Sequence, residues 1–193
     1  MCVSVRLKDS APPTNPLVRG KIVQKSTYMA DITIRKRHAI KKSQVAGIKQ
    51  MIERALGEEA SLFDTASIER AETDADLSIF LIDKKPLLIS RDNWAFPTLR
   101  GAHLRPFTAR RITVDSGAVS FMVNGADVMR PGVVSVTSDI RKGEPALIVE
   151  ERHGKPLAVV IALYDADEIR AMEKGKIAKN IHYVGDAIWN LEI

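Results

Sequence analysis

Apolar residues change their spacing along this 193-residue chain, and each change predicts an element of secondary structure. After an alternating stretch that starts at Asp31, apolar residues recur every three or four positions, as on one face of a helix. The residues on this face are Val45, Ile48, Ile52, Ala55 and Leu56. Ser43 can cap the start of the helix, and Gly57 can supply the left-handed residue that ends it.

Short apolar runs bounded by turn residues follow and are typical of β-strands. In the first half these runs cover 67–70, 77–82 and 86–90, and in the second half 145–151 and 155–164. A short helix is predicted over 165–175, where Asp165 and Glu168 have the spacing of a capping box. Gly185 and Asp186 predict a hairpin near the end of the chain. The pattern as a whole predicts an α+β protein.

The stretch "VDSGAVSFMVNGADVMRPGVV" at 114–134 is neither a plain helix nor a plain strand. Asp115 or Ser116 can cap a two-turn helix in which Ala118, Phe121 and Met122 share a face. Asn124 and Gly125 then end the helix, and 126–129 is predicted to be a strand. Arg130, Pro131 and Gly132 predict a turn in which the glycine accepts a positive φ.

Gly125 and Ala126 are two small residues at the point where this helix meets the strand. Small side chains leave backbone amides uncovered, so that a phosphate or another backbone can approach closely. The alternative is a tight connection with no ligand, and the spacing alone favours that alternative.

The same stretch resembles the signature of the PUA domain, a small pseudo-β-barrel with short helices that binds RNA. The resemblance spans 106–193 and includes "KGEPALIVEE" and "NIHYVGDAIW". Together with "FPTLR" at 96–100, it is similar to archaeal relatives of the malignant-T-cell-amplified-sequence and ligatin family. In that family a small α+β pre-PUA domain precedes the PUA domain. The predicted organisation is an extension at 1–28, with Met29 as a second possible start, a pre-PUA domain at 29–105 and a PUA domain at 106–193.

The resemblance also implies where RNA lies, because PUA domains hold it along the groove between the first helix and the adjacent strand. Carried over by position, the contact residues are Asn124, Gly125, Ala126 and Asp127, with Arg130 as a phosphate partner.

Positive charge is concentrated in local patches, although the net charge is only +5. Arg100, Arg105, Arg110 and Arg111 surround the junction of the two predicted domains and form a candidate basic seam for an RNA backbone. A second patch near the first helix comprises Arg35, Lys36, Arg37, Lys41 and Lys42. The alternative for both is a solvated surface with internal ion pairs; for Arg100 it is packing between the domains.

Several classes of function find no support in the residues. The single cysteine excludes an intramolecular disulfide and favours a reducing cytoplasm, and the four histidines lack the spacing of metal ligands. No apolar run approaches the length of a membrane span. We find no set of residues for catalysis and no loop for a nucleotide cofactor, so we expect no cofactor and no metal.

The family resemblance implies a binder that acts in translation on tRNA or the small ribosomal subunit, in initiation, reinitiation or recycling. A second translation factor is an implied partner. Three alternatives stay open: a ribosome-assembly factor, the RNA-docking part of a tRNA-modifying enzyme, and a module whose glycine groove binds a peptide.

Overall fold

The computed structural model describes residues 32–65, 67–74 and 76–192 and folds them around two β-sheets. The predicted extension at 1–28 and the possible start at Met29 lie outside the described residues. The first sheet contains β1 (Ile34–Ala39), β2 (Glu69–Thr73), β3 (Ser78–Ile82), β4 (Lys85–Arg91) and β5 (Trp94–Pro97), all antiparallel and in chain order.

The helix α1 (Lys42–Leu56) has the predicted apolar face, since Ile48, Ile52, Ala55 and Leu56 are all buried. The predicted cap at Ser43 is wrong. The capping position is Lys41, two residues earlier, where the side chain of Gln44 accepts a hydrogen bond from the Lys41 N–H at 3.0 Å. Gly57 ends the helix with φ at 58°, as predicted, and a 3₁₀ segment follows over Gly57–Phe63.

A tight turn joins β3 to β4, between the two predicted apolar runs at 77–82 and 86–90. Asp83 and Lys84 have φ values of 53° and 62°, the two consecutive left-handed residues that suit a tight hairpin. Three elements of the first half were not predicted: the 3₁₀ segment, β5, and the short helix α2 (Leu99–Leu104) that follows β5.

The second sheet has six strands in the order β7-β11-β10-β9-β6-β8, and only the β6–β9 pair is parallel. Its strands are β6 (Arg111–Val114), β7 (Val128–Met129), β8 (Val133–Val136), β9 (Pro145–Glu150), β10 (Pro156–Ala162) and β11 (Lys176–Tyr183). Two short helices, α3 (Ser116–Met122) and α4 (Ala166–Ala171), accompany it. The α+β class and the β-rich second half are thus confirmed. No helix in the described part of the chain is long and apolar enough to cross a membrane.

The predicted hairpin around Gly185 and Asp186 is wrong, because no strand returns after β11 among the residues described up to 192. The Asp186 carboxylate accepts hydrogen bonds from the N–H groups of Tyr183 and Trp189, which turns the chain without a second strand. Ile188 and Leu191 are then buried against the core of the first half.

That core crosses the junction between the two sheets. Leu147, Val149, Val159 and Ile181 belong to the second sheet, yet they pack in one cluster with the buried residues of α1 and the first sheet. Phe107, in the connecting segment, contacts Phe63 and Phe96 edge to face, with centroid separations of 6.3 and 5.7 Å. A separate cluster fills the interior of the second half.

A buried polar network joins α2 to β11 across the junction. The His182 and Asp186 side chains are fully buried, and His182 Nδ1 lies 2.8 Å from Asp186 Oδ2. On the other side of the ring, Nε2 accepts a hydrogen bond from the Leu99 N–H at 3.1 Å. His182 Nε2 is therefore unprotonated, and Nδ1 carries the proton that it donates to Asp186. We call this three-residue network the junction network.

Two further contacts hold α2 in place. Thr98 caps the helix by accepting a hydrogen bond from the Gly101 N–H at 3.0 Å and donates its own hydroxyl to Pro86 O. Arg100 donates to the backbone carbonyls of Trp189 and Leu191. The two segments that carry the family resemblance, "FPTLR" and "NIHYVGDAIW", are therefore in direct contact.

Replacing His182 with Phe is expected to destabilise the fold by about 3 kcal/mol or more, because it leaves a buried N–H and a buried carboxylate without their partner. The measurement is the free energy of unfolding in urea. His103→Phe is the matched control, since His103 is exposed on α2, and its effect should stay within about 0.5 kcal/mol. Equal stability of the two variants would contradict the structural role of the junction network.

Two helical glycines are expected to respond in opposite directions to alanine. A Cβ at Gly47, in α1, would meet nothing within 4 Å, so Gly47→Ala should stabilise the protein by about 0.5–1 kcal/mol. A Cβ at Gly101, in α2, would overlap the Leu87 carbonyl oxygen. Gly101→Ala should therefore destabilise by about 1–3 kcal/mol, as overpacking does. Thermal unfolding of both variants tests these two effects. A stabilised Gly101→Ala variant would show that α2 does not pack closely against Leu87 of β4.

Candidate RNA-binding groove

The first helix of the second half begins at a well-defined cap. Asp115 Oδ1 accepts a hydrogen bond from the Ala118 N–H at 2.8 Å, which confirms Asp115 as the capping residue of α3. The Ser116 N–H is directed to Glu151 at 3.3 Å. These bonds fix the direction of α3 beside the short strand β7.

The turn after β7 lies against α3 because Gly132 has no side chain. A Cβ at Gly132 would lie 3.0 Å from the Ala118 Cβ. The predicted turn is present, as one 3₁₀ turn over Arg130–Gly132. The predicted positive φ is wrong, since Gly132 is not among the glycines with that conformation. Glycine is needed at position 132 because the turn packs closely against Ala118, and not because the backbone is left-handed.

A groove of about 390 Å³ separates α3 from β7 and the turn that follows. Ala118, Phe121 and Met122, the residues predicted to share a face, all line it. Phe121 is 55% exposed and Met129 is 52% exposed, so two large apolar side chains are open to solvent at the same groove. The groove therefore offers apolar surface to a ligand, between an aromatic ring and a thioether.

Two carboxylates also line the groove, and both have partners. Asp115 caps α3, and Asp127 accepts a hydrogen bond from the Asn180 N–H at 2.9 Å and pairs with Lys176 at 3.1 Å. A phosphate in the groove would face these acids. The interior thus suits a base or a sugar better than a phosphate.

The idea that Gly125 and Ala126 expose backbone amides is wrong. The Gly125 N–H donates to Met122 O and the Ala126 N–H donates to Phe121 O, both at 3.0 Å. The open side of Gly125 is filled by the protein itself, since a Cβ there would lie 2.6 Å from Tyr183 Cε1. Gly125 does have the positive φ predicted for the end of α3, at 77°.

The remaining predicted contacts fall partly inside the groove and partly outside it. Ala126 and Asp127 line it. Asn124 donates its side-chain amide to Ser120 O at the end of α3. Arg130 is directed into the protein, because Nε donates to Ile169 O at 2.8 Å and Nη1 donates to Val133 O at 3.0 Å. A phosphate role for Arg130 would require these bonds to break.

The arginines of the candidate basic seam also form contacts inside the protein. Arg110 is 7% exposed, pairs with Glu144 and donates to Arg54 O, so it is not an open phosphate site. Arg105 donates to Leu62 O and pairs with Asp83, and Arg111 donates to Phe107 O. With Arg100 bound to two carbonyls of the C-terminal segment, the seam stabilises the junction. The expectation of an open cationic surface is wrong for Arg100 and Arg110.

The second patch stays at the surface. Arg35, Lys36, Lys41 and Lys42 are exposed. Arg37 forms a two-bond pair with Glu69, at 2.5 and 3.2 Å. The hydrogen bond from Arg37 lowers the pKa of the Glu69 carboxyl, against the opposing effect of burial. Lys41 and Lys42 stand at the start of α1, where RNA contact stays a prediction.

Phe121 and Met129 were missed as site residues. The shared face of Ala118, Phe121 and Met122 was visible in the spacing, but spacing does not tell whether such a face is buried or open. β7 has only two residues, and its partner is β11, more than forty residues later. No pattern in the local sequence predicts that the two strands pair.

Residues 110–184 match the PUA domain family. Over 160 residues the chain is 38% identical to the uncharacterised protein MJ1432 of Methanocaldococcus jannaschii, an alignment that covers 82% of this chain and 98% of that protein. Translation machinery-associated protein 20 of Saccharomyces cerevisiae is 27% identical over 134 residues, which cover 66% of this chain and 74% of that one. Malignant T-cell-amplified sequence 1-B of Xenopus laevis is 32% identical over 105 residues, 53% of this chain and 58% of that protein.

A solved structure supports the same relationship. The hypothetical protein PH0734.1 of Pyrococcus horikoshii matches with a TM-score of 0.73 and 35% identity, over 80% of this chain and 98% of that chain. Because it covers 80% of this chain, the likeness extends well beyond the PUA match at 110–184. This chain therefore belongs to the family of PUA-domain proteins that includes MJ1432, PH0734.1 and the malignant T-cell-amplified-sequence and translation machinery-associated 20 proteins.

Proposed function

We propose that this protein binds RNA in translation, and that it engages tRNA or the small ribosomal subunit during initiation, reinitiation or recycling. The observation that carries the proposal is the open groove between α3 and β7 in a PUA domain, with Phe121 and Met129 exposed at its sides. The similarity to the yeast translation machinery-associated protein 20 supports a role in translation. On this proposal the protein acts as a binder in the cytoplasm and performs no catalysis.

The groove favours unpaired bases over a duplex. Aromatic side chains stack on bases that have left a helix, and each such contact contributes about 1–3 kcal/mol. Phe121 and Met129 offer that apolar surface, whereas Asp115 and Asp127 repel phosphates from the interior. The strand should therefore place its bases in the groove and its phosphates outside.

Positive charge lies beside one rim for those phosphates. Lys174, in the loop before β11, and Lys176, the first residue of that strand, are both exposed. This loop is held next to the turn after β7, because the Arg130 N–H donates to Gly175 O at 2.8 Å. Lys176 pairs with Asp127 at 3.1 Å, so part of its charge is offset there. A single strand with few phosphate contacts fits this distribution better than a long duplex does.

Phe121→Ala is expected to weaken binding of a single-stranded RNA about 5- to 150-fold, the range that corresponds to one lost stacking contact of about 1–3 kcal/mol. Fluorescence anisotropy with a labelled single-stranded oligonucleotide measures the affinity. Leu104→Ala is the matched control, since Leu104 is 52% exposed but lies on α2, away from the groove. Equal loss in both variants, or no loss in Phe121→Ala, would refute the groove as the RNA site.

The identity of the RNA is tested by crosslinking in cell extract, followed by sequencing of the bound fragments. Wild-type protein is expected to recover tRNA ends or small-subunit rRNA, and Phe121→Ala should recover less of both. Recovery of precursor rRNA alone would instead favour a ribosome-assembly factor. Recovery of no RNA above the background of an uncrosslinked sample would refute the proposal.

A further inference from the structure

A second cleft, of about 300 Å³, lies at the junction of the two sheets and is separate from the groove beside α3. Four parts of the chain meet there: the last turns of α1, the turn between β4 and β5, the residue before β6, and the loop before β9. The cleft is lined by Met51, Arg54, Ala55, Asn93, Trp94, Arg110, Lys142, Gly143, Glu144 and Pro145. We call it the junction cleft.

The charges of the junction cleft are unbalanced. Three cations line it, and Glu144 is the acid among the lining residues. Arg110 is occupied by its pair with Glu144. Arg54 and Lys142 are exposed, and neither side chain has an ion pair within the part of the chain that the structure describes. Two cations are thus available to an anionic group.

An aromatic side chain completes the lining. Trp94, the first residue of β5, is half-buried, and it packs partly against the core of the first half. An indole held in place on one side by the core retains surface for a flat ligand on the other. Available cations beside an accessible aromatic ring are the combination that binds single-stranded nucleic acid.

The backbone of Arg110 shows that the junction cleft is held in shape at some conformational cost. Arg110 has a φ of 50°, a left-handed conformation that arginine rarely adopts. Three contacts maintain it: its N–H donates to Asp139 at 2.8 Å, and its guanidinium contacts Glu144 and Arg54 O. Backbone strain of this kind concentrates at functional sites.

We propose that the junction cleft holds one unpaired nucleotide of the bound RNA, with its base against Trp94 and its phosphate near Arg54 and Lys142. The proposal rests on the RNA-binding function proposed above and adds a second contact point to it. The volume is at the lower end for a ligand site, which suits one nucleotide rather than a folded segment. Because both sheets contribute residues, binding there depends on the junction being intact.

The base contact is tested with a fluorescein-labelled hexa-adenylate RNA and full-length protein. Trp94→Ala is expected to weaken binding about 5- to 150-fold, and Trp94→Phe should retain most of the affinity because a ring is still present. A Trp189→Phe variant leaves Trp94 as the single tryptophan of the 193-residue sequence. Its emission should then change on addition of unlabelled hexa-adenylate.

The phosphate contact is tested through the dependence of affinity on salt. Arg54→Ala and Lys142→Ala should each reduce the slope of log K against log salt by about 0.7, the value for one phosphate contact on a single strand. Lys84→Ala is the matched control, because Lys84 is exposed on the β3–β4 turn and should leave the slope unchanged. All variants are checked for thermal unfolding like wild type.

The outcomes separate the two proposals. Loss of affinity in Trp94→Ala with a lower slope in Arg54→Ala and Lys142→Ala supports the junction cleft. If these three variants bind like wild type while Phe121→Ala binds weakly, the junction cleft is refuted and the groove remains. Displacement of hexa-adenylate by hexaglutamate at equal affinity would also refute it, since it would indicate a general anion surface. Failure of wild type to bind RNA at all would overturn both.

Discussion

The structure depends most on the junction network, in which His182 accepts a hydrogen bond from the Leu99 N–H and donates one to the Asp186 carboxylate. All of these groups are buried, so each must find its partner inside the protein. Satisfying them requires α2 to meet the end of β11 in one geometry, which Arg100 and the edge-to-face contacts of Phe107 reinforce. The two sheets therefore form one continuous structure, and the junction cleft lies where they meet.

Most arginines near the junction and the groove form internal contacts and are not available to a ligand. Arg100, Arg105, Arg110, Arg111 and Arg130 all donate to backbone carbonyls. A guanidinium has five N–H donors in a rigid fork, so it can hydrogen-bond to several carbonyl groups at the ends of loops and helices. Exposed lysines such as Lys36, Lys142 and Lys174 carry much of the positive charge that remains at the surface. The groove beside α3 therefore offers apolar and aromatic surface rather than a continuous cationic seam.

Much of the local structure was predictable. The apolar face of α1, the left-handed Gly57, the hairpin at Asp83 and Lys84, and the Asp115 cap of α3 all follow from interactions within a few residues. The site was predictable only in outline. The stretch at 114–134 indicated the groove, but the exposure of Phe121 and Met129 depends on β7 pairing with β11 and on Gly132 packing against Ala118. Such pairings join residues that are distant in the chain.

The sequence by itself determined the class of the fold, because spacing, caps and turn residues are local properties of a chain, and its motifs carried the resemblance to the family. Only the tertiary structure decided which of those segments face solvent. Gly125 was identified as a glycine that must be small, yet the ring that fills its open side belongs to Tyr183. Arg110 was identified as a cation beside a domain junction, yet its burial is set by Glu144 and α1. Burial and partners are properties of the packed whole, since they depend on which distant residues the fold brings together.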